Sequence, residues 1–195
     1  MKKTLNLQGL KAGAAAGIGI AGASELILWL TGRIYIICKN DIHNFIGCAF
    51  LTVLYILVQE IVLRGIAYNV LKNRFSAPLA MITTGAFFLA FNIPIISGAV
   101  PLLNLLVFNI LLCVLYENTC SLSAPLIAHM IWRLLSGNIL GILPNITDKP
   151  SLLKTMMLGC DNISSSFSML AISTTILIIT IFCHKPKEGA HNTTE

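Results

Sequence analysis

Six stretches of this chain are apolar for long enough to cross a lipid bilayer, and together they make up more than half of it. They run over about 12–30, 45–63, 78–98, 100–116, 122–143 and 166–183. A helix rises about 1.5 Å per residue, so about 20 apolar residues match a hydrocarbon core about 30 Å thick. Inside lipid the backbone must satisfy its own hydrogen bonds, which leaves helices or closed barrels. These runs are continuous rather than alternating, so they read as helices. The composition agrees: 56% of the 195 residues are hydrophobic and 11% are charged, against about 25% charged in soluble domains. The expected fold is therefore all-α, a polytopic transmembrane helix bundle of about six spans, in a single domain over 1–195.

The third and fourth runs are parted only by the Gly98–Pro101 break, which suits a tight helical hairpin. The fourth is short and needs tilt or interfacial flanks. The start has a basic leader, a small-residue stretch and an Ala21-Gly22-Ala23 site, as a signal peptide would. The apolar run continues through Leu26–Leu30, so it is read as the first span. Gly13, Gly17 and Ala21 repeat every four residues on it, a small face that admits a close helix neighbour.

The net charge of +5 is scattered between the apolar runs. It reads as membrane orientation, not as a nucleic-acid surface, and the first partner it implies is the lipid bilayer. Lys2, Lys3, Lys11, Arg64, Lys72, Arg74, Lys185 and Lys187 fall on one side; Arg33, Lys39, Lys149 and Lys154 fall on the other. The richer side should be cytoplasmic, with both termini there and the long 144–165 connection outside. The polar tail over 184–195 should lack regular structure. Of the six cysteines none forms a C-x-x-C pair, so neither a redox motif nor a zinc site is indicated. A disulfide between loop residues such as Cys38 and Cys160 stays open.

Polar residues inside the runs are costly and face the bundle interior, so each is informative. Gln59, Glu60 and Arg64 sit near the end of the second run, with Glu60 and Arg64 in the favourable order four apart. Asn92 follows Phe88 by one turn in the third; His129 and Arg133 share a face of the fifth; Glu25 stands in the first. Each also has a plain structural reading. Glu60 and Arg64 can neutralise one another. Asn92, before Ile93-Pro94, can cap or kink its helix. His129 can be a hydrogen-bonded core residue, Arg133 can snorkel, and Glu25 can be interfacial or paired.

The order and spacing of the set resemble the CAAX-protease and bacteriocin-processing (CPBP) family of intramembrane proteases. That family's pattern is EExxxRG, then FxxxH, then HxxxN. Here the segments read QEIVLRG at 59–65, FLAFN at 88–92 and HMIWR at 129–133. The resemblance is strong from 59 to 141 and weaker from about 9 to 183. It begins within the family's helix set, so one or two N-terminal helices are expected to have no counterpart. It implies a site assembled from Gln59, Glu60, Asn92, His129 and Arg133, with Arg64 and Phe88 as structural members. In the family, the first Glu and the two His act as metal ligands or general base, and the Asn holds the oxyanion. A divalent metal such as zinc, with His129 as a ligand, would accompany an active form.

This chain departs from that pattern where the chemistry lies. Gln59 cannot take a proton at neutral pH, Asn92 is a poor ligand for a zinc-like ion, and Arg133 is a permanent cation. Glu60 is turned about 100° from Gln59 on an ideal helix and does not replace it. The other histidines, His43, His184 and His191, fall in expected loops or the tail. The preferred reading is a catalytically impaired member without a metal. It would act by peptide or partner binding, regulation or immunity, in a bacterial plasma membrane. The alternative is an active intramembrane metalloendopeptidase. A transporter-like bundle would show inverted repeats, and none is visible. Arg133 is expected to fill the metal's place, donating to the carbonyl oxygens of Gln59 and Asn92 with Glu60 or Glu25 as counter-ion.

The orientation is directly testable. A cysteine placed by Lys149→Cys should react with a membrane-impermeant maleimide in intact cells, and one placed by Lys187→Cys should not. Labelling of the second alone would invert the topology.

Overall fold

The computed structural model describes residues 6–39, 42–93, 98–142, 151–157 and 162–182. The 184–195 tail, Cys160 and half of the 144–165 connection fall outside them, as does Pro94. Among the described residues the chain is a helical bundle. Helix α1 spans Leu7–Leu30, α2 Ile42–Glu60, α3 Tyr68–Arg74, α4 Ala77–Phe91, α5 Ala99–Thr119, α6 Ser123–Trp132 and α7 Asn162–Phe182. Two π-helical segments interrupt it: π1, Ile61–Ala67, joins α2 to α3, and π2, Arg133–Ile139, continues α6.

Three helices are long and apolar enough to cross a membrane: Leu7–Leu30, Phe45–Arg74 and Ala99–Thr119. Ala77–Phe91 and Met169–Ile181 are shorter apolar helices. The second helix therefore runs well past the apolar stretch that announced it. Arg64, Lys72 and Arg74 lie on a helical extension rather than in a loop. His43 likewise stands in the first turn of α2, not in a loop.

The one feature outside the all-helical expectation is a short ribbon. Strand β1, Ile34–Lys39, pairs antiparallel with β2, Leu153–Met157. Its sequence, Ile-Tyr-Ile-Ile-Cys, is β-branched and aromatic, which suits a strand more than a turn. Helix α1 ends just before it on a left-handed glycine: Gly32 has φ +66°, and the Arg33 N–H closes on the Leu28 carbonyl at 2.9 Å. The pairing joins the connection after α1 to the one before α7, so both lie at the same end of the bundle.

Helix α5 is central, packed against α1, α4, α6 and α7. Its Leu105, Phe108, Leu111 and Leu112 form a core with Ile20, Leu63, Phe88 and Trp132. Helix α2 turns Phe50, Leu51, Leu54 and Val58 outward, as a lipid-facing helix must. The closest helix pair is α1 with α6. Gly9, Gly13, Gly17 and Ala21 are buried along one face of α1. A Cβ on Gly17 would come within 2.9 Å of the Ala128 carbonyl oxygen, and one on Gly13 would overlap the Ala124 carbonyl. The small-residue stripe is thus a docking face for α6, the helix that carries His129. Without side chains there, the two backbones approach and gain dispersion contacts that lipid cannot replace.

Gly13→Ala should therefore destabilise the bundle by about 1–3 kcal/mol, the range for overpacking a tight contact. Gly47→Ala, where nothing lies within 4 Å, should be neutral or stabilising by up to about 1 kcal/mol. Unfolding in mixed detergent micelles would compare the two. Equal effects would show that α1 and α6 are not in close contact.

Candidate functional site

The interior of the bundle holds an ion pair that no water reaches. Glu60 and Arg64 are both 0% exposed, and Glu60 Oε1 accepts from Arg64 Nη1 at 3.0 Å. Their spacing of four puts them on one helix face, and π1, which starts at Ile61, carries Arg64 inward. The same Glu60 oxygen meets His129 Nδ1 at 2.7 Å. Against a carboxylate held by an arginine, Nδ1 is the donor and Nε2 the acceptor. His129 is itself enclosed by Phe88, Phe108 and Trp132, with ring centroids 5.5, 5.6 and 5.8 Å away.

Arg64 is held from two further helices. Its Nη2 donates to Asn109 Oδ1 on α5 at 2.7 Å, and its guanidinium lies 5.2 Å from the Phe88 ring centroid on α4. Asn109 Nδ2 in turn donates to the Met81 carbonyl at 3.0 Å. Asn109 was not among the sequence candidates. Its signal was present, an amide inside the apolar run over 100–116, but no family motif marked it. Asn69 was missed too. Its amide donates at 2.9 Å to the carbonyls of Arg64 and Gly65 and to the Tyr116 hydroxyl. It thereby satisfies carbonyls in the widened π turn.

The substituted motif positions lie apart from that ion pair. Gln59 is fully buried, yet neither Oε1 nor Nε2 has a hydrogen-bond partner. Asn92 follows the last turn of α4 as its cap. Its Nδ2 donates to the Phe88 carbonyl at 2.8 Å, and its Oδ1 is unpaired and buried. Arg133 opens π2 with a buried, unpaired Nη1. Its electrostatic neighbours are Tyr55 and His129. Glu25 lies against Ser136.

This corrects the expected plug. Arg133 does not bond the carbonyl oxygens of Gln59 and Asn92, since both are unpaired. Nor is Glu60 its counter-ion, because Arg64 and His129 already share that carboxylate oxygen. Arg133 makes no ion pair with Glu25 among the described residues. Glu60, which a helix turns about 100° from Gln59, is the residue that touches His129. The physical reason is shared. Arg64 is buried deeper than its place at the end of an apolar run suggested, and it draws Glu60 in with it.

The donor set can be tested against the divalent metal that the resemblance implies. His129 is its imidazole and Glu60 its carboxylate, one oxygen of which is already bound to an arginine. The remaining positions are two neutral amides and a second arginine. Among the described residues no three His, Cys, Asp or Glu side chains gather in a metal-holding group. Zinc sites use three or four such ligands, so this set does not fit one.

Residues 41–135 match the family model described as type II CAAX prenyl endopeptidase Rce1-like. Over this stretch the chain resembles the CAAX-protease family. The matched stretch runs from the start of α2 to the beginning of π2 and contains all three motif segments. Neither a curated protein nor a solved structure gives a match. The chain is thus a CAAX-protease-like integral membrane protein, and its apolar helices place it in a lipid bilayer.

Breaking the buried pair from one side should be strongly destabilising. Arg64→Met strands the Glu60 charge and should cost about 3–5 kcal/mol. The double variant Glu60→Leu/Arg64→Met should recover much of that loss, because the two residues act as a unit. Additive effects in the same unfolding assay would show that the two charges are independent.

Proposed function

We propose that this CAAX-protease-like chain has lost hydrolysis wholly or nearly so. It works by binding a peptide or hydrophobic segment, in regulation or immunity through a membrane partner, in a bacterial plasma membrane. The observation that carries this reading is the use already made of the chemical groups. The carboxylate at the site, Glu60, spends one oxygen on both Arg64 and His129. The carboxylate and imidazole of the family pattern are replaced by the amides of Gln59 and Asn92, which neither take protons nor balance a metal's charge. Loss of general acid–base help alone costs about 10²–10⁴-fold.

One observation favours a second reading. A carboxylate 2.7 Å from an imidazole nitrogen orients the ring, and an oriented imidazole can take a proton from water. On that reading the chain is an endopeptidase with a rearranged site, in which His129 is the base and Glu60 its positioning residue.

Purified protein should be assayed for bound metal and for cleavage of membrane-tethered peptides. The expected result is neither metal nor cleavage above that of a His129→Ala control. Robust cleavage abolished by His129→Ala would overturn the proposal in favour of the second reading.

A further inference from the structure

The β1–β2 ribbon combines two properties that neither water nor lipid tails satisfy together. Ile34 packs with Leu28 and Ile142 and fixes the ribbon to the end of α1. The next residues turn outward. Tyr35 and Ile36 are more than half exposed, as are Trp29 and Leu30 on the last turn of α1. Open water would leave four large apolar side chains unsheltered at one end of the bundle. The hydrocarbon core is excluded as well. Among the described residues the sheet has two strands, so each strand pairs along one edge only. The other edge presents a row of backbone N–H and C=O groups. In lipid tails those groups would find no partner, which is why open sheet edges do not occur there.

The headgroup layer meets both demands. It gives apolar contact below the ribbon, with water and phosphate oxygens beside its edges. The length of α1 brings the ribbon to that level. From the exposed Lys11 to Leu30 the helix rises about 28 Å, close to a hydrocarbon thickness of about 30 Å. With Lys11 at one interface, Trp29 and Leu30 stand at the other. Trp and Tyr are the residues enriched at that depth. Charge then selects among headgroups. Segments 33–39 and 153–157 carry Arg33, Lys39 and Lys154 and no acidic residue. Arg33 is exposed at the foot of the ribbon. At its other end the register sets Lys39 and Lys154 on adjacent rungs, opposite Leu153 and Cys38. Cations level with the phosphates favour an anionic lipid over a zwitterionic one.

We infer that the β1–β2 ribbon lies in the headgroup layer, with Tyr35 and Ile36 seated against the acyl chains, and that the charges of Arg33, Lys39 and Lys154 draw anionic phospholipids to it.

The test uses full-length protein in nanodiscs. Ile36→Trp in a Trp29→Phe background is the reporter, and Trp29→Phe alone supplies the Trp132 signal to subtract. The new indole should be quenched more by phospholipid brominated near the glycerol than by phospholipid brominated near the chain end or by aqueous iodide. Brominated phosphatidylglycerol diluted into phosphatidylcholine should reach half-maximal quenching at a lower mole fraction than brominated phosphatidylcholine diluted in the same way. The expected ratio is about 5–100-fold, the span of one to three cations near the surface. Adding Arg33→Gln, Lys39→Gln and Lys154→Gln together should bring the two curves into coincidence. Lys11→Gln, at the far end of α1, should leave them apart. The native Trp29, read as wild type minus Trp29→Phe, gives the same comparison without altering the ribbon. Quenching by iodide alone puts the ribbon in water and overturns the inference. Equal curves for the two lipids before the charges are removed overturn the anionic binding. An indole shielded from both quenchers, in particles that hold two protein copies, assigns the ribbon to a second copy and overturns it too.

Discussion

In lipid there is no water to complete a hydrogen bond, so a charged group inside a bundle must be satisfied by the bundle. The Arg64 guanidinium meets most of that demand with partners from four helical segments, though its Nε has none. It takes Glu60 from the end of α2, Asn109 from α5 and the Phe88 face from α4, and through Glu60 it reaches His129 on α6. Each bond shortens the list of positions those helices can take relative to one another. The aromatic layer of Phe88, Phe108 and Trp132 then closes over His129 and keeps the cluster dry. Low dielectric strengthens each of these bonds and also makes any missing one expensive. The cluster specifies the arrangement more than it adds stability, since apolar replacements of similar shape often do as well.

The two π-helical segments belong to this logic. One begins directly after Glu60 and the other at Arg133, so each follows a motif position. A π turn is wider than an α turn and frees a carbonyl from its usual partner, which is why such turns gather at functional sites. Around π1 Asn69 bonds the carbonyls of Arg64 and Gly65, and the helix continues through the widened turn into α3.

The helical architecture was legible because bilayer thickness and backbone satisfaction leave so few choices. Run length located six helices, and the Gly13, Gly17, Ala21 stripe marked the face that receives α6. The β1–β2 ribbon was not legible, since pairing between residues far apart in sequence leaves no period to read. At the site, the spacing of Glu60 and Arg64 announced their ion pair. The role of Asn109 did not show, because an amide in an apolar run says that a partner exists without saying which. The expected contacts of Arg133 failed for the same reason. Charge complementarity proposes partners, but the competition for Glu60 is decided by which cation the helices carry inward, and that was Arg64.

The identities of the substituted residues say something that their positions do not. A pocket with no remaining use would be cheapest in lipid if it filled with leucine and phenylalanine, because each buried amide that lacks a partner costs about 1–3 kcal/mol. Here the positions hold Gln59, Asn92 and Arg133, all capable of several hydrogen bonds, and four of their side-chain atoms are buried and unpaired. Replacing a carboxylate by its amide, and an imidazole by another amide, removes proton transfer and metal binding but leaves hydrogen bonding in place. Under the proposed loss of hydrolysis, such a change would separate recognition from chemistry, because the amides keep donors and acceptors while they neither take protons nor balance a metal's charge.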